Sequence, residues 1–295
     1  MKLGKRLFVN KDSSGPIGVF DSGIGGLSVL RALRERLPAE DFLYLGDTAR
    51  LPYGTRGDET IVRYSLECAA YLLNRGAKAV VAACNTASSI AGDVLQRELP
   101  VPFVGMVEPS VSMVERLPSV KSLWILGTEG TVRSGAYEKL LRDRLPFETR
   151  IEALACPLFV PLAEEGIASG AICESIVTYY LSSVKEERPD ALLLACTHYP
   201  MLATTISEYM GSATQVLDGS LAVAGEVAAM LADRGLLREA LVESDGESNG
   251  SLTCLVTDAA PRVYVLAQRF LSERGLTVEK ISLDSKNPGG SAKFS

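Results

Sequence analysis

Short apolar runs recur along the chain, separated by longer stretches with a different pattern. In those stretches, such as residues 27–37 and 61–76, an apolar side chain returns every three or four positions, as in an amphipathic helix. The runs themselves are continuously apolar and predict buried strands at residues 17–20, 42–46, 79–83, 102–106, 123–127, 151–155, 191–195, 253–256 and 279–283. The alternation predicts an α/β fold with mainly parallel, doubly wound sheets.

One pattern occurs twice. Residues 77–88 (AKAVVAACNTAS) and 189–200 (PDALLLACTHYP) each run from a helix end through a buried strand to a cysteine with polar followers. These cysteines, Cys84 and Cys196, lie about one domain's length apart. The repeat predicts two similar lobes, each presenting a cysteine at the carboxyl end of a strand, with the active site in the cleft between them.

Composition narrows the classes of function. The 295 residues are 47% apolar and include 30 basic and 36 acidic residues, without a basic stripe, which argues against a nucleic-acid partner. No run is long enough for a signal peptide or a membrane helix. Six scattered cysteines favour free thiols in a reducing compartment, so we predict a cytoplasmic protein without membrane contact.

The segment GVFDSGIGGLS, residues 18–28, joins a strand to a helix through a glycine cluster. A nucleotide-binding loop is one interpretation, but the Gly-Lys-Ser/Thr ending is missing and the dinucleotide pattern is broken at Ser28. Asp21 stands at the strand end with nothing adjacent in sequence to pair it. It is therefore a candidate for handling protons.

Cys84-Asn85-Thr86 follows the third predicted strand, where a helix begins near Thr86. The helix dipole is expected to bias the Cys84 thiol toward the thiolate, and nearby backbone amides can hold a substrate carboxylate. A cysteine after apolar residues is more often part of a core than a catalyst. The polar followers favour function here.

The second cysteine motif, Cys196-Thr197-His198, contains the only histidine of the chain, and histidine can serve a thiol as its proton partner. A cysteine protease has no use for a second matched cysteine, and one histidine without a C-x-x-C pair makes a poor zinc site. Inversion of a stereocentre needs a base on one face and an acid on the other. Two thiols on facing lobes supply them.

The segments VFDSGIGGLSV, YLGDTARLPYG, AACNTAS, CPLFVPLAEEG and CTHYPML follow one another between residue 17 and about residue 220. Taken together they resemble the aspartate/glutamate racemase superfamily. The combination of DSGIGG with the PYG block resembles its glutamate branch. The resemblance implies interconversion of L- and D-glutamate for peptidoglycan, without pyridoxal phosphate, other cofactor or metal, by a bacterial enzyme that is expected to be a homodimer.

The resemblance also implies roles for single residues. Cys84 would act on the D-enantiomer with help from Asp21, and Cys196 on the L-enantiomer with help from His198 and Glu164. Asp47 is a further catalytic carboxylate by the same resemblance. The expected substrate-binding residues are Ser22, Pro52, Tyr53, Gly54, Asn85, Thr86, Thr128, Thr131 and Thr197.

Family architecture implies that lobe 1 comprises residues 15–107 and 219–290, lobe 2 residues 108–218, and that residues 1–14 and 291–295 are flexible ends. The sequence departs from the family at Ala195, where glycine is common, and in an acidic stretch at 238–251 to which we assign no role. Aspartate racemase or a related isomerase or decarboxylase stays open as an alternative. So does a racemase with a secondary, gyrase-binding regulatory role.

Overall fold

The computed structural model describes residues 13–238, 242–243, 246–247, 250–259, 261–271, 277–283 and 292–293. Its strands are β1 (Ile17–Asp21), β2 (Phe42–Gly46), β3 (Ala79–Ala82), β4 (Phe103–Val104), β5 (Ser122–Gly127), β6 (Arg150–Ala155), β7 (Ala191–Ala195), β8 (Gln215–Asp218), β9 (Val242–Glu243), β10 (Gly246–Glu247), β11 (Leu252–Val256), β12 (Val278–Lys280) and β13 (Ala292–Lys293).

Its helices are α1 (Leu27–Arg36), α2 (Asp58–Asn74), α3 (Asn85–Glu98), α4 (Val107–Glu115), α5 (Glu129–Ser134), α6 (Ala136–Arg144), α7 (Phe159–Glu165), α8 (Ala171–Glu187), α9 (Ala203–Met210), α10 (Ser220–Asp233) and α11 (Pro261–Leu271). A 3₁₀ helix spans Tyr199–Leu202. Helix α2 begins before the predicted residue 61 because Asp58 and Glu59 favour a first helical turn.

Two sheets carry the fold. Sheet 1 has the strand order β13-β12-β11-β2-β1-β3-β4, and sheet 2 has the order β6-β5-β7-β8. All neighbours within them are parallel except β12 and β13. Strands β9 and β10 form a separate antiparallel pair. The predicted α/β class with mainly parallel sheets is confirmed.

Helices cover both faces of each sheet, which explains the continuously apolar strands. On sheet 1, Val19 points into a core shared with α1, α10 and α11, whereas its neighbour Phe20 points into a core shared with α2 and α3. On sheet 2, Leu192 packs toward α7, α8 and α9, and Leu193 toward α4 and α6. Alternate side chains of one strand therefore enter different cores.

Every strand predicted from an apolar run is present, although β12 begins and ends earlier than the predicted 279–283. Strand β8 was not predicted, because it lies at the edge of sheet 2 and buries only Leu217 fully. The predicted flexible ends lie outside the described residues, apart from residues 13–14 and 292–293. Half of the acidic stretch 238–251 also lies outside them.

Among the described residues, no helix combines the length and apolar character that crossing a bilayer requires.

Candidate active site

The carboxyl ends of the parallel strands carry the predicted catalytic residues. Asp21 is the last residue of β1, and Cys84 follows β3 on the same sheet. On sheet 2, Cys196 directly follows β7. Parallel strands end at one edge of a sheet, where open α/β folds bind their ligands. Each sheet therefore presents one of the two predicted catalytic cysteines at its ligand-binding edge.

Cys84 caps the N-terminus of α3. Its extended backbone lets the sulfur accept a hydrogen bond from the backbone N–H of Ala87 at 3.5 Å, and its thiol donates to Ser22 Oγ at 3.4 Å. Burial raises the pKa of Cys84 to about 12, and the negative charge of Asp21 adds to the effect. The contacts with Ser22 and Ala87 lower the pKa by less. The expected bias toward the thiolate is wrong for this resting structure, because desolvation exceeds the effect of the helix end.

Asp21 is almost fully buried, at 1% exposure. Its Oδ2 accepts hydrogen bonds from the backbone N–H groups of Gly23 (3.0 Å) and Gly26 (3.1 Å), which lie two and five residues further along the chain. Its Oδ1 has no hydrogen-bond partner among the described residues. A Cβ on Gly26 would lie 2.6 Å from the Cβ of Asp21, so this glycine makes room for the carboxylate.

Cys196, His198 and Glu164 form a chain of contacts. The Cys196 sulfur lies 3.9 Å from Nδ1 of His198, whose Nε2 lies 3.4 Å from Oε1 of Glu164. Burial lowers the pKa of His198, but its contacts with Cys196 and Glu164 and the negative charge of Asp21 outweigh burial and raise this pKa to about 10. These contacts therefore favour the protonated, cationic form of His198 beside the second thiol.

Asn85 meets a residue that sequence analysis did not single out. Tyr137, fully buried on α6, donates its hydroxyl to Oδ1 of Asn85 at 2.5 Å. This contact leaves the amide nitrogen of Asn85 as a buried donor without a partner among the described residues. Burial raises the pKa of Tyr137, and negative charge on Cys196 or Cys84 raises it further, so its hydroxyl lies within electrostatic reach of both sulfurs.

Threonine hydroxyls connect α3 to the first turn of α5. Thr86 Oγ1 lies 2.8 Å from Thr128 Oγ1 and 3.3 Å from Thr131 Oγ1. A Cβ on Gly54 would lie 2.9 Å from the Thr128 Cβ, so the loop after β2 closes onto the same cluster. Helix α3 and the loop after β2, which belong to sheet 1, are thus in contact with helix α5, which follows β5 of sheet 2.

A second contact between the sheets lies at Thr197. A Cβ on Gly25 would approach its Oγ1 to 2.5 Å, and Ser28 Oγ donates to its backbone oxygen at 3.3 Å. Both cysteines are nearly closed to solvent, with 5% exposure at Cys84 and 6% at Cys196. The structure therefore shows a closed cleft.

Asp47 is fully buried and both of its oxygens are engaged. Its Oδ2 accepts from Arg50 Nε at 2.6 Å and from the Tyr53 hydroxyl at 2.5 Å, and its Oδ1 accepts from Thr257 Oγ1 at 2.9 Å. These contacts anchor the loop that carries the exposed Pro52 and Tyr53. The Tyr53 hydroxyl points to Asp47. The catalytic role of Asp47 stays a prediction.

All six cysteines are free and buried. Burial raises the pKa of Cys68, Cys156 and Cys173, as expected of inert thiols in a core. Within the part of the chain that the structure describes, no cluster of three or more His, Cys, Asp or Glu side chains is arranged to hold a metal ion.

The profile of the Asp/Glu/Hydantoin racemase family matches residues 17–227, which include both cysteine motifs. The chain belongs to this family. A glutamate racemase of Geobacter metallireducens is 40% identical over 270 residues, covering 92% of this chain and 97% of the relative. One of Aquifex pyrophilus is 42% identical over 255 residues, covering 86% and 93%.

Within the family, the fold agrees with solved glutamate racemases. The crystal structure of the enzyme from Francisella tularensis, in complex with D-glutamate, aligns with a TM-score of 0.84 at 34% identity. The alignment covers 92% of this chain and 99% of the other. The chain is thus an amino-acid racemase of the glutamate branch, as its motifs indicate.

Proposed function

We propose that the protein interconverts L- and D-glutamate without a cofactor, using Cys84 and Cys196 on opposite faces of the α-carbon. The supporting observation is the matched placement of the two cysteines. Each follows an interior strand of its own sheet, each is buried, and both lie within electrostatic reach of the Tyr137 hydroxyl. A base and an acid on opposite faces are what inversion of a stereocentre requires.

In this proposal each direction uses the same two groups in exchanged roles. For the D-enantiomer, Cys84 as a thiolate removes the α-proton, and Cys196 as a thiol delivers a proton to the other face. For the L-enantiomer, Cys196 is the base and Cys84 the acid. One proton is taken and one is given, so the substrate changes only its configuration.

The surroundings of each thiol support a division of labour. The cationic His198 can stabilise negative charge on Cys196, and Glu164 orients the imidazole from its other nitrogen. On the other side, Oδ1 of Asp21 is a free acceptor inside the site and is proposed to assist proton transfer at Cys84. Asp47 is proposed to act indirectly, by fixing the loop of Tyr53.

Substrate binding is proposed to use the polar groups around the thiols. The amide nitrogen of Asn85 is a buried donor without a partner among the described residues, so a substrate carboxylate would satisfy it. The remaining predicted binding residues are Ser22, Pro52, Tyr53, Gly54, Thr86, Thr128, Thr131 and Thr197. The closed contacts at Thr86 and Thr197 imply that the two sheets must part before glutamate enters.

The test is cofactor-free circular dichroism of purified protein with L-glutamate and, separately, with L-aspartate. Decay of the optical signal with glutamate alone supports the proposal. Decay with aspartate alone would keep the two-thiol chemistry and overturn the substrate. In deuterium oxide, the product should also carry deuterium at the α-carbon. No decay with either amino acid contradicts the proposed activity.

The cellular setting belongs to the same proposal. D-Glutamate made by this reaction would supply peptidoglycan, and six free cysteines fit a reducing cytoplasm. We also propose a homodimer, and a division into lobe 1 (residues 15–107 and 219–290) and lobe 2 (residues 108–218). Sedimentation equilibrium tests the dimer. Expression of residues 108–218 alone tests whether lobe 2 folds as a unit.

A further inference from the structure

Helix α11 packs against α1 over sheet 1, but its last turn contacts residues that follow strands of sheet 2. Arg269 Nη1 donates a hydrogen bond to the backbone oxygen of Glu164 at 2.7 Å. The next residue, Phe270, packs its ring edge-on against His198, with centroids 5.3 Å apart and planes at 81°. Two neighbouring residues thus contact Glu164 and His198, the two residues proposed to assist Cys196.

Arg269 acts at the end of α7, the helix that carries Glu164. The last backbone oxygens of a helix have no partner within it, and a cation there also interacts favourably with the helix dipole. Arg269 supplies both a donor and a positive charge at this point. Gly166 ends the helix with φ +74°, and a Cβ there would lie 2.6 Å from Cζ of Arg269. The glycine therefore leaves room for the guanidinium group.

Phe270 restrains the imidazole itself. Its side chain is 3% exposed and His198 is 8% exposed, so the ring contact is closed to water. An edge-on aromatic contact favours one orientation of the partner ring. It therefore helps to keep Nδ1 of His198 toward Cys196 and Nε2 toward Glu164.

We propose that Arg269 and Phe270 are positioning residues for the Glu164–His198 pair, so that a helix packed on sheet 1 aligns the group that serves Cys196 on sheet 2. The inference rests on the proposed function for its effect on turnover, but not for its geometry. Both residues lie beyond the matched range 17–227. Parting of the sheets would withdraw α11 and release the pair together with the substrate.

The single histidine of the chain makes a direct test possible. Labelled with ¹³C and ¹⁵N in its ring, His198 gives one set of NMR signals, whose pH titration reports its pKa. The charged or titratable groups facing it are Cys196, Glu164 and Asp21, with Arg269 behind Glu164. The variants are Arg269→Ala, Arg269→Gln, Arg269→Lys and Phe270→Leu. The matched control is Gln268→Ala, an exposed position on the same helix.

The expected result has a defined sign. If Arg269 positions Glu164, its loss weakens the Glu164 contact and lowers the pKa of His198, raising the acid dissociation constant roughly tenfold. If Arg269 acted only as a nearby positive charge, its loss would raise that pKa instead. We expect a fall with alanine and glutamine, recovery with lysine, and no change in the control. An unchanged or raised pKa in folded Arg269→Gln overturns the proposal.

Kinetics provides the second measurement. Phe270→Leu should lower kcat about tenfold with little change in KM, and should shift the pH profile of kcat along with the NMR titration. A loss of activity with an unchanged profile means that Phe270 only stabilises the fold, and contradicts its positioning role. Because the NMR titration needs no turnover, wild-type protein that fails to racemise glutamate would overturn the proposed function and leave this inference standing.

Discussion

Sheet 1 has an amino edge, where its parallel strands begin, and a carboxyl edge, where they end. The two edges differ in how their buried polar groups are paired. At the amino edge, Lys78 is fully buried, and its Nζ donates to Glu40 Oε2 at 2.6 Å and to the backbone oxygen of Ser13 at 2.5 Å. The other oxygen of Glu40 accepts from the backbone N–H of Arg238 at 2.8 Å. At the carboxyl edge, Oδ1 of Asp21 and the amide nitrogen of Asn85 have no partner among the described residues.

This difference in pairing indicates that the buried polar groups of the amino edge serve stability, whereas those of the carboxyl edge serve function. A buried polar group without a partner costs free energy, and nearly all such groups in proteins are paired. The amino edge follows this rule and ties the segments before β1, β2 and β3 together. The carboxyl edge departs from this rule at Asp21 and Asn85, where the substrate is proposed to bind. Changes at the amino edge should therefore alter folding, and changes at the carboxyl edge should alter activity.

The largest effect is expected at the carboxyl edge. Cys84→Ala and Cys196→Ala should each lower racemisation by about 10³- to 10⁴-fold, because one face of the α-carbon then lacks its proton carrier. Thermal unfolding should change little. The control is Cys156→Ala, which removes a buried thiol that likewise follows a strand. Near-normal turnover in either catalytic variant would contradict the two-thiol mechanism.

At the amino edge, Lys78→Met should lower the free energy of unfolding by about 4 kcal/mol, because it leaves Glu40 buried beside an apolar side chain. The folded fraction should keep its kcat. Urea unfolding measures the loss. The double variant Lys78→Met/Glu40→Gln should recover part of it, and Arg31→Met, in an exposed ion pair, should cost less than about 1 kcal/mol. Equal losses at Lys78 and Arg31 would refute the comparison.

His198 belongs to the carboxyl edge of sheet 2 but should also affect stability, in a pH-dependent way. Its folded pKa, about 10, lies above the unfolded value of 6.5, so its contribution is fully present below pH 6.5 and is lost as the pH rises through 10. His198→Gln should therefore cost about 2 kcal/mol at pH 6, progressively less as the pH rises above 6.5, and little above pH 10. Urea titrations at several pH values measure this. A constant difference would argue against the raised pKa.

The smallest effect is expected at Tyr137. Tyr137→Phe removes the hydrogen bond that orients Asn85, so KM for glutamate should rise about tenfold while kcat changes little. Steady-state kinetics in both directions measures the change. Tyr179→Phe, at an exposed position, serves as the control. If KM stays at the wild-type value, the amide of Asn85 does not depend on Tyr137 for its orientation.

The regular parts of the fold could be predicted because buried strands and amphipathic helices leave periodic patterns. Edge strand β8 was missed, since one buried leucine in four residues gives no clear period. The cysteine pair was found because it is a repeated motif. The order of the strands and the closeness of the two sheets required tertiary structure, which no local pattern contains.

Electrostatic surroundings were predicted less well than positions. The helix end suggested an acidic Cys84, but desolvation depends on burial from all sides and reverses the shift. The hydrogen bond from Thr257 to Asp47 joins residues 210 positions apart in the chain, so no sequence pattern could place this partner beside the carboxylate. Tyr137, Arg269 and Phe270 carry no motif. Their importance arises only from what they contact.

The strand order also determines when the protein can finish folding. Strands β5–β8 of sheet 2 occupy one continuous stretch, residues 122–218, whereas β2 of sheet 1 pairs with β11, placing Phe42 beside Leu252. On a ribosome that adds about 5 to 20 residues per second, β2 emerges roughly 10 to 40 s before its partner. During that interval one side of an apolar strand has no neighbour, so nascent chains stalled between β8 and β11 are the species that chaperones should capture.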